Sequence, residues 1–276
     1  MLLLRFSWFF ITLLALTFSN HVVAHQKKIV FSVNAPGTNP YLYFDQHTQT
    51  YQGIVVDFFA TIDSNHAFSV EYLDTSRNRY EKTLLNNQAD LFLSSSDWLQ
   101  TPNAYLLSET IALHNSHLYS TQPFDQHFDL KTIDQTTVCT RTNFVYPTLN
   151  ELFKTGTLIR VDSTDQSTMT SMLLKGRCQY LVFGKEDAHP ELFSPKYCQA
   201  VFFESPAAIS SVEMVFVIRH DRRDLLEVLN HYLRIFVSTG KLEASFQKHI
   251  GSSKFPKERC DSSSFTTSID RKSTKA

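Results

Sequence analysis

LLNNQADLFLSSSDW, residues 84–98, is the stretch whose reading decides the fold. A helical run ends at Asn86 and Asn87, an apolar strand of about four residues follows, and the chain then opens into three serines, an aspartate and a tryptophan. Serine clusters belong to solvated turns where Ser bonds its own local backbone. The alternative is a row of donors and acceptors at the carboxyl edge of a sheet, where open α/β folds place their ligands. The flanking sequence has to choose between the two.

On both sides of this stretch, strand patterns alternate with helix patterns. KKIVFSV (27–33) is a short apolar strand, and NAPGTNPYLYF after it is rich in turn residues and aromatics. GIVVDFFATIDS carries apolar residues at helical spacing around Asp57, FSVEYLD is a second strand, RNRYEKTLLNN a second helix, and ADLFLSS a third strand. The second half repeats the order: TTVCTR, VYPTLNELFKTG, TLIRVDS, DQSTMTSMLLKG and CQYLVFG. Such alternation implies parallel βαβ units, and hence an α/β protein whose lobes are each a mostly parallel sheet flanked by helices. SETIALHNSHLYSTQ (108–122) and, later, QAVFFES and SVEMVFVIRHD are extended, without helical periodicity. Two extended crossings imply one lobe inserted into another: residues 25–120 with 206–250 form lobe 1 and residues 121–205 form lobe 2, joined by a two-strand hinge over a cleft. The closing stretch to residue 250 is strongly helical. Residues 251–276, rich in Ser, Thr and Lys, read as a disordered tail.

Residues 1–24 have the pattern of a cleavable export signal: Arg5, the apolar run FSWFFITLLALTF, and the small-residue site Val22-Val23-Ala24. Without Arg5, the remaining 25 Lys and Arg face 27 Asp and Glu, a net charge of −2. That balance argues against nucleic acid, which asks for a basic face. The 11 histidines show no tight ligand spacing, and His114 with His117 reads as a polar surface pair, so no metal is expected. Cys139, Cys178, Cys198 and Cys260 allow three fully paired connectivities and form no CxxC. Cys178 begins a parallel strand far from the cleft, as the returning hinge strand after Cys198 must also do, so these two are expected to pair. Cys139, near the cleft end of its strand, would need a reach of most of a strand to meet Cys178.

PYLYF, YQGIVVDFFATI, LLNNQADLFLSSS, LLKGRCQYLVFG and DLLEVLNHYLRIFVSTGKLEASFQKHI together resemble the amino-acid-type (family 3) periplasmic solute-binding proteins of ABC importers, from about residue 27 to 251. The resemblance implies a type II two-lobe binding-protein fold, a location in the periplasm, no cofactor and no catalysis. The family glycine before the third strand is Asn87 here, the other residue that readily takes a left-handed helix cap. The family's T-x-x-R after the serines, which clamps a ligand carboxylate, is absent from DWLQTPNAYLL. The acidic residue that holds the ligand ammonium is replaced by Gly184, with Lys185, Glu186 and Asp187 just beyond. In one subgroup an Arg eleven residues ahead of the strand's leading Asp serves instead; Arg79 stands at that distance from Asp90. Arg141, just past a strand and before a helix amino end, is a second candidate anion anchor.

With the third strand's carboxyl end at the cleft, Ser94, Ser95, Ser96 and Asp97 are expected to face a bound solute, with Tyr41 and Tyr43 on the same rim. Trp98 either joins them or packs in the core. Thr142 and Asn143 sit at the matching edge of the opposite lobe, and Asp57 braces its helix rather than touching ligand. The expected protein is a monomeric receptor for a small polar or amino-acid-like solute, working with an ABC permease or, alternatively, a membrane sensor. A dehydratase-like enzyme on the same scaffold would need a poised carboxylate or His, for which Asp97 and Glu186 are the acidic candidates.

Overall fold

Parallel strands covered on both faces need near-continuous apolar runs, and the first strand shows why. In β1 (Lys27–Asn34) Ile29, Phe31, Ser32 and Val33 are all buried. The computed structural model describes residues 27–62, 68–250 and Phe255; the expected leader at 1–24, and the tail apart from Phe255, lie outside the described residues. After β1 come a small antiparallel sheet of β2 (Gly37–Thr38), β3 (Leu42–Asp45) and β4 (Thr50–Gln52), and helix α1 (Ile54–Phe59). Then follow β5 (Phe68–Thr75), α2 (Tyr80–Leu85), β6 (Leu91–Ser94), β7 (Tyr105–Leu107) and the long β8 (Ala112–Ser120). The second half runs β9 (Thr136–Arg141), α3 (Pro147–Thr155), β10 (Leu158–Ser163), α4 (Gln166–Leu174), β11 (Tyr180–Gly184), α5 (Lys185–Leu192) and β12 (Phe203–Glu204). The chain closes with β13 (Ser210–Arg219), α6 (Arg223–Ser238) and α7 (Lys241–Ile250).

The main sheet has the order β10-β9-β11-β8-β13-β6-β1-β5, with β12 on β8 and β7 on β13. β1 is parallel to both β5 and β6, and β9 is parallel to both β10 and β11. β8 and β13 join the halves. They pair antiparallel with each other from Ala112–Met214 to Ser116–Ser210; β13 then continues along β6, while β8 continues along β11. Each strand is thus shared between two half-sheets, which is the two-strand hinge of a two-lobe fold.

The buried residues separate in the same way. One core contains Ile29, Phe31, Phe58, Leu91, Phe216 and Phe236, and draws on chain both before and after the second half. Two further clusters, one around Tyr119, Leu181 and Phe202 and one around Leu118, Val138 and Val182, fill the other lobe. Each fully buried Phe or Leu contributes about 1.5–3 kcal/mol. Asp90, at the foot of β6, accepts from the Val30 amide and from the Arg222 and Arg219 guanidiniums, which ties β1, β6 and the start of α6 together. Asn87 takes φ 55 at the end of α2, the left-handed conformation that position requires.

The cysteine expectation is corrected. Cys139 and Cys178 form the disulfide, with Cα atoms 5.7 Å apart, and Cys198 is half-buried and unbridged. Cys178 does not begin a strand: β11 starts at Tyr180, and Cys178 lies in the bend after α4, which folds it over Cys139 on the neighbouring β9. Cys260 lies outside the described residues. His114 and His117 are not a surface pair either, since both are buried on β8. The odd spacing on a strand sends them to opposite faces: His117 bonds the Ser205 carbonyl by its Nδ1, and His114 faces the interlobe cavity.

Candidate ligand-binding cleft

Asn34, Arg141 and Gly184 are the carboxyl-terminal residues of β1, β9 and β11, and all three line one cavity of about 140 Å³. The parallel strands of both lobes therefore end on the same space, the position that open α/β sheets give to ligands. His114 on β8 and Met214 on β13 close it from the hinge.

Its floor is fixed from the first lobe. The Ile54 and Val55 amides at the start of α1 donate to the Pro40 and Tyr41 carbonyls at 2.9 Å each, so the helix terminus holds the aromatic loop. Gly53 permits this approach: it sits at φ 121, and a Cβ there would lie 2.6 Å from the Tyr41 carbonyl oxygen. The Tyr41 hydroxyl meets Nδ1 of His114 at 3.2 Å, and the Trp98 ring stands edge-on to the same imidazole, centroids 5.6 Å apart. Burial lowers the His114 pKa to about 4. The ring is therefore neutral at pH 7, and its tautomer sets which of Nδ1 and the Tyr41 hydroxyl donates.

Two guanidiniums converge from opposite lobes. Arg77, in the 3-10 turn Arg77–Arg79, lies 5.2 Å from the Phe144 ring centroid, 5.5 Å from Tyr80 and 5.7 Å from Trp98. Arg141, at the end of β9, lies 4.4 Å from the same Phe144 ring. The loop bearing Phe144 is anchored by Arg160, which donates to the Arg141 and Phe144 carbonyls at 3.1 Å, while the Arg141 amide donates to the Tyr146 hydroxyl at 3.0 Å. Burial lowers the pKa of both arginines, and for Arg77 the charge of Arg141 adds to the effect. Neither forms an ion pair among the described residues, and Nε of Arg141 is buried without a partner.

Opposite them sits the one carboxyl group of the cavity wall, Asp187 in the first turn of α5. Burial, reinforced by Glu186 and opposed by Arg141, raises its pKa to about 8, and its Oδ1 has no partner. Gly184, His114 and Asp187 are packed tightly together. A Cβ on Gly184 would lie 2.1 Å from the imidazole and 2.9 Å from Asp187 Oδ2, so no side chain fits at the end of β11.

Of the residues expected at the site, Tyr41, Trp98 and Arg141 line the cavity. Tyr43 is turned away: its hydroxyl meets Nδ1 of His249 at 3.0 Å, and Nε2 of that ring meets Asp57 at 3.0 Å. Asp57 also accepts from Ser245 at 2.6 Å and Lys248 at 2.7 Å, a brace between α1 and α7. Ser94 and Ser95 are buried off the cavity wall, and Ser95 Oγ accepts from the Asp97 amide to cap the 3-10 turn Ser96–Trp98. Within that turn Ser96 is half-buried and Asp97 exposed, and Thr142 and Asn143 are exposed. Arg79 is exposed on the far side of its 3-10 turn, whereas Arg77, two residues earlier, points inward. Arg77, His114, Phe144 and Asp187 are wall residues that sequence reasoning did not select. The run of Arg, Tyr, Trp and Phe near strand ends was the available signal.

Among solved structures the chain resembles a mutant of ArgBP from T. maritima (16% identity, TM-score 0.65, covering 82% of this chain and 96% of that one). It also resembles a structure described for glutathione import by GshT and the cystine ABC importer of Streptococcus mutans (16%, 0.66, 84% and 98%). A third is a binding component of an ABC transporter from Wolinella succinogenes complexed with lysine (15%, 0.68, 83% and 97%). The shared property is the fold. No family model matches the chain, and no curated protein sequence does. No helix among the described residues is long and apolar enough to cross a membrane, and no cluster of His, Cys, Asp and Glu among them could hold a metal ion.

Proposed function

We propose that this chain is an extracytoplasmic solute receptor that takes a small molecule into the interlobe cavity and closes on it. The carrying observation is one wall built from both lobes, with Arg77 and Trp98 from one and Arg141 and Asp187 from the other. A ligand that satisfies groups on both lobes stabilises the closed arrangement, because only closure makes both sets of contacts. The leader-like residues 1–24 and the likeness in fold to importer components support delivery to an ABC permease from the periplasm.

The test is a thermal-unfolding screen of the mature chain against amino acids, organic acids, polyamines and short peptides, followed by scattering on any stabilising compound. Stabilisation with a smaller radius of gyration, lost in Trp98→Ala, is the expected result. A compound that stabilises equally well in Trp98→Ala and Arg141→Ala binds elsewhere and refutes the reading. One observation favours a second reading, a dehydratase-like enzyme: Asp187, protonated near neutral pH beside His114, has the proton affinity of a general acid. Turnover of a bound compound, abolished by Asp187→Asn, would select it over a receptor.

A further inference from the structure

The wall of the cavity has an unusual charge balance. Arg77 and Arg141 approach the same Phe144 ring at 5.2 and 4.4 Å, so their guanidinium carbons are at most about 10 Å apart, and neither is in an ion pair among the described residues. Two like charges in a dry site repel, and an anion between them reverses the sign of the interaction. Arg141 lines the cavity, and its Nε, a buried charged donor with no acceptor, is a costly kind of unmade hydrogen bond. The guanidinium fork presents parallel donors that match a planar carboxylate.

The rest of the wall is mostly carbon. Phe31, Tyr80, Trp98, Tyr146 and Phe183 surround a space of about 140 Å³, close to the roughly 150 Å³ that accepts benzene in an apolar cavity. The wall offers an ammonium little counter-charge, because Gly184 at the end of β11 carries no side chain. The single acidic wall residue, Asp187, is packed against Gly184 and the neutral His114 ring, and its burial keeps it protonated at neutral pH. A cation entering here would meet two arginines and one carboxyl group whose affinity for its proton is raised by burial.

We infer that the cleft selects an organic acid with an apolar body of about the size of one ring and no ammonium group, its carboxylate held jointly by Arg77 from one lobe and Arg141 from the other. This rests on the receptor reading and narrows it. The joint grip also makes the acid group the element that couples the lobes, since one guanidinium comes from each.

The experiment uses matched pairs that differ only by the α-ammonium. Calorimetric titration at pH 7 compares 3-phenylpropionate with phenylalanine and 4-methylpentanoate with leucine, with 2-phenylethylamine as the cation on the same skeleton. The expected result is that at least one acid binds ten-fold or more tightly than its amino counterpart, and that 2-phenylethylamine does not bind. Arg77→Ala and Arg141→Ala should each weaken that acid at least ten-fold while keeping the wild-type circular dichroism. Arg77→Lys and Arg141→Lys, which keep the charge but lose the fork, should fall between. An amino acid bound as tightly as its acid overturns the inference, as does failure of both acids to bind or indifference of the bound acid to both arginines. If amino acids or polyamines bind and lose affinity in Trp98→Ala, the receptor reading survives without this one. If no small molecule in the wider screen stabilises the chain, both fall.

Discussion

Replacing Asp187 by Asn should change how stability depends on pH, and the size of the change follows from the site. Asp187 is enclosed by Arg141 from β9, His114 from β8, the Tyr41 ring and its neighbour Glu186, and burial is the largest influence on it. Its pKa is about 8 in the folded protein against an ordinary value of 3.8. The folded state therefore keeps a proton that the unfolded chain releases near pH 4, and folding takes up that proton anywhere between. The resulting stability is complete below the unfolded value and drains away as pH rises toward 8, at about 1.4 kcal/mol per pH unit. Between pH 5 and pH 8 this amounts to about 4 kcal/mol. Asn is nearly isosteric and has no such proton, so titrating groups that do not interact with Asp187 act in both proteins and cancel in the difference, while Glu186, which does interact with it, feels the substitution only where Asp187 is ionised. Urea unfolding of both proteins at pH 5, 6.5 and 8 should show Asp187→Asn gaining on the wild type at each step upward. Parallel pH profiles would mean that Asp187 is ionised in the folded protein. An ionised carboxylate would then be available to an ammonium, and the charge argument for an acid ligand would lose its second half.

Three further outcomes are expected. Cys178→Ser opens a disulfide that spans 39 residues and should cost about 4 kcal/mol by the loop-entropy relation, whereas Cys198→Ser should leave unfolding unchanged; a Cys139–Cys178 linked peptide in a non-reduced digest checks the pairing directly. Tyr41→Phe leaves Nδ1 of His114 buried without its 3.2 Å hydrogen-bond partner and should cost about 1–3 kcal/mol in urea unfolding. Asp57→Asn weakens the bonds from Ser245, Lys248 and His249 and should cost about 1–3 kcal/mol, with faster amide exchange along α7.

The βαβ alternation and the crossing strands were legible because they rest on backbone rules that act over many residues. A strand covered on both faces must be apolar throughout, as Ile29 to Val33 are, and two extended segments flanking a repeat leave few ways to thread the chain. Asn87 was legible for a similar reason, since few residues accept a positive φ at a helix end. The cysteine pairing was not, because it depends on the bend between α4 and β11 rather than on strand length, and a bend of four or five residues has no periodicity to read.

The arginines show where such reading stops. Counting eleven residues back from Asp90 selects Arg79, but Arg79 is exposed while Arg77 lines the cavity, because residues two apart lie on opposite sides of the turn. Both are arginines two residues apart, so composition and spacing cannot separate them. Only the aromatic rings that receive Arg77 do so. The serines pose the same problem in reverse. The buried strand does lead to the cleft, yet Ser95 spends its oxygen on the Asp97 amide and the 3-10 turn delivers Trp98 to the wall in place of the hydroxyls. A polar residue at a strand's carboxyl end thus marks where a ligand site lies, while the turn type that follows decides which side chain enters it. In this chain two consecutive decisions of that kind, at Ser96–Trp98 and at Arg77–Arg79, give the cavity an aromatic ring and a guanidinium, the pair of surfaces that an apolar acid requires.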